Sequence, residues 1–177
     1  MKLFRKKTLV LLVAFAATIS SCSSDDDNND GNNPTTNHTF FTAKVGGTAF
    51  ESVTDQANGI FHLTNQGTPF FSVQGVNTEG HTVNIQVATF NGAGTYQIGE
   101  DSSPNIIGIG SYMPLNQIPQ LSSTIDEGPK GQLIITEYTE NGRVAGTFHF
   151  YVQNILTEQI THITEGSFNT PVTTITE

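Results

Sequence analysis

From residue 39 onward the chain is written in short runs in which apolar and polar residues alternate, and no stretch keeps a helical period. The runs are TFFTAKV, TAFESV, IFHLTN, FFSVQ, TVNIQVA, TYQI, QLIITEY, RVAGTFHFYV and ITHIT. A period of two sends successive side chains to opposite faces of a sheet, so each run can bury one face and leave the other wet. Turn signals fall between the runs at Gly46-Gly47, Gln66-Gly67, Glu79-Gly80, Gly92 to Gly94, Asn141-Gly142 and Glu165-Gly166. This pattern predicts one all-β domain over residues 39–177, an antiparallel β-sandwich or flattened β-barrel built from hairpins. With no Trp, the 12 Phe are enough to supply a modest core.

Two hairpins carry a register that can be checked. A two-residue turn at Gly46-Gly47 pairs Val45 with Thr48 and Ala43 with Phe50, which gathers Phe41, Ala43, Val45 and Phe50 on one face. A type I′ turn at Asn141-Gly142 sets Glu140 opposite Arg143, Ile135 opposite Phe148, and Leu133 opposite Phe150. Val144 and Val152 join that face, and a slip of one residue would put Gln132 opposite Phe150. Residues 99–131 break the rhythm with four of the 7 prolines. A structureless loop of that length is uncommon, so NIIGIGSYM (105–113) is expected to supply a strand flanked by loops.

The start of the chain obeys different rules. MKLFRKKTLVLLVAFAATISSC has a basic beginning, an apolar run from Leu9 to Ile19 too short to span a bilayer comfortably, and small residues before the only cysteine. Residues 1–21 therefore read as a signal peptide. With no second thiol, Cys22 belongs to no internal disulfide framework. The ending Ile19-Ser20-Ser21-Cys22 resembles the bacterial lipobox. That resemblance implies lipidation of the Cys22 thiol, cleavage just before it and acylation of the new amino terminus. Several acyl chains on one residue exceed what stable membrane anchoring needs.

Residues 23–38 are polar and acidic, with no apolar group to reward ordering, and read as a flexible tether averaging roughly 20–25 Å in span. Within it, Ser24-Asp25-Asp26-Asp27 resembles the export signal that Bacteroidota surface lipoproteins carry behind the lipidated cysteine, which implies an outer-membrane, cell-surface location. Asp26-x-Asn28-x-Asp30-Gly31 fits the first half of a calcium loop, but Asn37 stands where the closing bidentate Glu belongs, and a solvated acidic linker explains it better. From Cys22 onward three basic residues face 16 acidic ones, a formal charge of −13. Such a surface repels phosphate backbones, which argues against nucleic acid as a partner.

Within the β-domain, FTAKVGGTAFES, NGAGTYQIG, GQLIITEYTENGRVAGTFHF and ITHITEGSFNT, in that order, resemble the domain of small uncharacterised Bacteroidota lipoproteins. The GTFxF and T-x-GxF motifs carry most of the weight. The likeness covers most of residues 39–170 and implies the β-fold and the envelope; it brings no catalytic residues with it.

Chemistry is sparse. The five histidines show no close ligand spacing and no cysteine to join them, so no metal or cofactor is expected. Gly110-Ser111-Tyr112 and Gly166-Ser167-Phe168 lack the G-x-S-x-G elbow. His149 falls on the face opposite Phe148 and Phe150, with Thr147 and Tyr151. Tyr96, Tyr112, Tyr138 and Tyr151 are candidates for an aromatic platform, and Tyr112, His149 and Tyr151 are the residues singled out for ligand contact. The leading expectation is a non-catalytic module, binding a glycan, peptide or envelope protein or filling a structural place. The alternative is a small hydrolase of extracellular polymers using Asp126, Glu127 and His149, which requires these groups and Tyr112 to converge.

Overall fold

The computed structural model describes residues 38–63, 69–99, 101–102, 105–106, 108–122 and 131–176. They form strands β1 (Phe40–Val45), β2 (Thr48–Glu51), β3 (Asn58–Leu63), β4 (Phe70–Val76), β5 (Thr82–Ala88), β6 (Gly94–Ile98), β7 (Asp101–Ser102), β8 (Asn105–Ile106), β9 (Gly108–Met113), β10 (Gln120–Leu121), β11 (Gly131–Tyr138), β12 (Arg143–Asn154) and β13 (Ile160–Thr176). A 3₁₀ turn, Thr54–Gln56, follows β2. The expected all-β domain is present, and the 105–113 segment supplies β8 and β9 as anticipated.

One strand organises the sheet. β13 runs for 17 residues. It pairs antiparallel with β12 on one side, and on the other first with β1 and then, in parallel, with β3. Residues 163–169 of β13 face β1 and residues 172–176 face β3, while the Val172 N–H donates to the Gly142 carbonyl just before β12. From β3 the pairings continue through β4, β5, β9 and β10 to β12, which returns to β13. The wall is therefore closed, with β1–β2 and β11–β6 laid beside it. Closure satisfies backbone groups that a sheet edge would leave open. The parallel β13–β3 pair is the departure from an all-antiparallel expectation; hairpin reasoning does not see it because the two strands are distant in sequence.

The first hairpin has the expected register, Val45 against Thr48 and Ala43 against Phe50, with Phe41, Ala43 and Phe50 buried. The second corrects its prediction. Leu133 faces Phe148 and Ile135 faces Gly146, two residues away from the expected pairing. Two displacements add. At the tip, Thr139 N–H bonds the Arg143 carbonyl and Gly142 N–H bonds Thr139, a three-residue loop with Asn141 at φ 54. The Gly142 carbonyl and the Asn141 Oδ1 are taken by Val172 and Thr174 of β13, which favours this loop over a two-residue turn. A bulge between Ile135 and Glu137 then moves the register once more. The second shift undoes the change of face made by the first, so Leu133, Ile135, Phe148 and Phe150 are buried as the alternation requires.

Two further expectations fall. Glu165-Gly166 is a bulge inside β13, not a turn: Glu165 sits at φ 51, and the pairings to both β1 and β12 shift beside it. Arg143 does not pair with Glu140. Its guanidinium donates to Asn169 Oδ1 at 2.8 Å, to the Asn169 carbonyl at 2.9 Å, and to the His38 carbonyl and Thr39 Oγ1 at 3.3 Å. This fixes where the chain enters the barrel.

The interior is phenylalanine laid against glycine. Phe41, Phe71, Phe150 and Phe168 are fully or almost fully buried, each contributing up to about 3 kcal/mol by removal from water. A Cβ on Gly110 would lie 2.4 Å from the Phe150 ring, one on Gly166 2.4 Å from Phe148, and one on Gly75 2.6 Å from Phe41. The rings occupy space that only a missing side chain leaves. A second aromatic cluster joins Phe71, Phe90 and Tyr138, with ring centroids 4.5 and 4.9 Å apart.

Gly110→Ala should therefore destabilise the domain by about 1–3 kcal/mol through overpacking, read as a lower urea midpoint at unchanged slope. Arg143→Ala should lower the thermal midpoint, whereas Glu140→Ala should leave stability within about 0.5 kcal/mol. Equal losses for the two would restore the ion pair across the turn.

Candidate functional site

β1, β4, β9 and β12 all end at one end of the barrel. Gly46 N–H bonds the His162 carbonyl there, and Gln120 of β10 pairs with both Tyr112 and Asn154. Between these strand ends lies a cleft of ≈ 260 Å³ lined by Val45, Thr48, Ala49, Phe50, Asn77, Glu79, His81 and Tyr112.

Local geometry explains each polar group. Asn77 closes the β4–β5 turn: its Oδ1 accepts from the N–H of Glu79 at 3.1 Å and of His81 at 2.9 Å. The turn thereby presents Glu79 and His81 on the rim. Tyr112 comes from β9, where it pairs with the buried Val83 of β5, so it points inward from the barrel wall. Its hydroxyl lies 3.1 Å from His81 Nδ1, and Glu79 Oε2 lies 3.6 Å from the same nitrogen. With the imidazole neutral and its proton on Nε2, the tyrosine donates to Nδ1; with the ring charged, Nδ1–H donates towards the phenol or the carboxylate. Burial, then the Glu79 charge, hold the Tyr112 hydroxyl above its ordinary value, so it remains a donor. The cleft thus offers a carboxylate, an imidazole, a phenol and an amide over an apolar floor of Val45 and Phe50. That set suits recognition of a polar or cationic group flanked by apolar surface.

The other two residues singled out for ligand contact stand elsewhere. His149 and Tyr151 lie on the outward face of β12, opposite the buried Phe148 and Phe150. Tyr151 stacks on its cross-strand partner His162, with centroids 3.8 Å apart and planes 7° from parallel. Tyr112 therefore does not share a face with His149 and Tyr151. The four tyrosines make no common platform either. Tyr96 is buried, its hydroxyl donating to the Gly92 carbonyl at 2.7 Å, and Tyr138 packs against the core beside Phe90. Asp126 and Glu127 of the hydrolase alternative lie outside the described residues, as do Cys22, Ser24, Asp25, Asp26 and Asp27. Among the described residues, no cluster of three or more His, Cys, Asp or Glu could hold a metal.

Glu79 and His81 escaped sequence reasoning, although Glu79-Gly80 stood out as a turn. What brings them to Tyr112 is the β5–β9 pairing across about 30 residues, and no local pattern encodes it.

Burial, then the charge of His149, hold the His162 imidazole below its ordinary value, and its Nε2 is buried without a hydrogen-bond partner. The folded state thus takes up this proton less readily than the unfolded chain. Its contribution to stability is fully present above about pH 6.5 and is lost as pH falls towards the folded-state value. The drop in thermal midpoint between pH 7.5 and 5.5 should therefore be smaller in His162→Phe, which keeps the stack on Tyr151; an identical drop would show that His162 is not linked to folding.

Residues 37–170 match the family described as a domain of unknown function, DUF6252. No curated protein and no solved structure matches the chain.

Proposed function

We propose, for a chain that belongs to the DUF6252 family, that it is a lipid-anchored envelope lipoprotein facing outward from the outer membrane, whose barrel is a non-catalytic binding module. The observation that carries the reading is the place of the sole cysteine. Cys22 stands directly behind an apolar run and small residues, and directly ahead of an acidic block, Ser24 to Asp27. Acylation there would hold the protein at the bilayer, while the acidic polar stretch to residue 38 would act as the spacer.

The fold supports this division of labour. Arg143 fixes the chain at His38 and Thr39, near the start of β12, whereas the cleft lies near the other end of that strand at Asn154. Arg143 and Asn154 are the two ends of a 12-residue strand, roughly 35–40 Å apart along it. The described chain therefore enters the barrel at the end away from the cleft, which supports a division between attachment and binding. The Glu79 carboxylate, the His81 imidazole and the Tyr112 hydroxyl can hold a polar or cationic group by charge and hydrogen bonds, which supports the binding role.

Cys22→Ala should move the protein from the membrane pellet to the soluble fraction; continued retention would contradict the anchor. Changing Asp25, Asp26 and Asp27 together to Ala should keep the protein in the membrane but reduce its cleavage by protease added to intact cells. Unchanged cleavage would remove the export role.

A further inference from the structure

We infer that the cleft end of the barrel docks a basic segment of a partner protein, with apolar residues of that segment lying on the surrounding loops and a lysine or arginine side chain entering the cleft beside Glu79. This rests on the reading of the domain as a binding module and gives that module a surface and a partner chemistry.

The surface is built from two loops. Met113 ends β9, and Leu115 and Ile118 belong to the β9–β10 connection; Ile155 and Leu156 belong to the β12–β13 turn, and Ile160 opens β13; their exposure runs from 39 % at Ile118 to 71 % at Leu156. The loops are neighbours because Gln120 pairs with Tyr112 at the foot of one and Asn154 at the foot of the other. They also meet the cleft. A Cβ on Gly80 would lie 3.2 Å from Leu115 Cδ1, so Leu115 rests on the turn that presents Glu79 and His81.

These apolar groups are held outward by structure. Asn154 Oδ1 accepts from the N–H of Leu156 at 2.9 Å and of Thr157 at 3.2 Å, and the Asn154 carbonyl accepts from Glu158 at 2.8 Å. Several large aliphatic side chains kept in water on adjoining loops are a costly arrangement unless something covers them.

Charge selects the occupant. The chain from Cys22 onward carries three basic residues against 16 acidic ones. Glu79 and Glu158 border this surface, and the apolar loops hold no Lys or Arg. A second copy of the chain would bring these carboxylates against their own kind. An anionic bilayer would be repelled, and the chain enters the barrel at the far end, by Arg143. A basic segment with apolar neighbours meets both features: its aliphatic side chains cover the loops, and its cation finds the Glu79 carboxylate and the Tyr112 oxygen.

The test is a fluorescence-anisotropy titration of the purified full chain with two labelled synthetic peptides of equal length, one alternating leucine and lysine, the other leucine and glutamate. The lysine peptide should bind at least tenfold more tightly than the glutamate peptide. Leu156→Ser and Glu79→Gln should each weaken it at least fivefold, while Glu137→Gln, an exposed acidic position outside this end, should change nothing. Equal weakening by Glu137→Gln would reduce the effect to general attraction to an acidic protein and overturn the proposal. So would failure of the lysine peptide to bind, self-association in sedimentation velocity that Leu156→Ser abolishes, or Leu156-dependent flotation with phosphatidylethanolamine–phosphatidylglycerol vesicles. Membrane release of Cys22→Ala is scored separately, so loss of the docking surface and loss of the anchor can be told apart.

Discussion

The fold depends on a single strand with three partners. β13 gives one edge to β12 and divides the other between β1 and β3. Each buried backbone N–H and C=O must find a mate, and β13 is where the demands of three separate hairpin systems are met together. The bulge at Glu165 is what lets it serve them. It falls inside the pairing to both β1 and β12, places Gly166 beneath Phe148, and lets β13 keep both partners across the irregularity. Without β13, the β1–β2 ribbon would lose its attachment and the wall would open between β3 and β12, leaving the β3–β4–β5 meander joined to β12 only by way of β9 and β10.

Much of this was legible in the alternation. Which residues face inward followed from a period of two, and that reading survives at Phe41, Leu133, Ile135, Phe148 and Phe150. Register was harder. In the β11–β12 hairpin, a longer loop and a bulge each displace the pairing by one residue, and because they act together the faces return to their places. Parity is protected by burial, whereas the offset is set by hydrogen bonds from Val172 and Thr174, residues far away in sequence. The Glu165-Gly166 pair shows a related difficulty. A left-handed residue followed by glycine serves a tight turn and a bulge alike, and only the strands on either side decide between them.

The candidate site was legible in one of its members. Tyr112 could be picked out as a tyrosine on a strand, but its partners come from a turn whose position depends on the β5–β9 pairing. His149 and Tyr151 were correctly placed on one outward face, and the stack on His162 is a cross-strand relation of the kind that needs register to see. The result is a domain with direction: Arg143 secures the incoming chain near one end, and the polar cleft with its aliphatic rim occupies the other.

The closed wall is uneven in strength. Among the described residues, β9 is joined to β12 by way of the two-residue strand Gln120–Leu121, with the Gly110 N–H donating to Ser122 Oγ, whereas β4 and β5 share a register of seven residue pairs. Breathing of the barrel is therefore cheapest along this narrow seam, behind which the buried Phe150 ring rests on Gly110. A lineage diversifying this scaffold has its most permissive panel here, where length can change without disturbing the staves that carry the load.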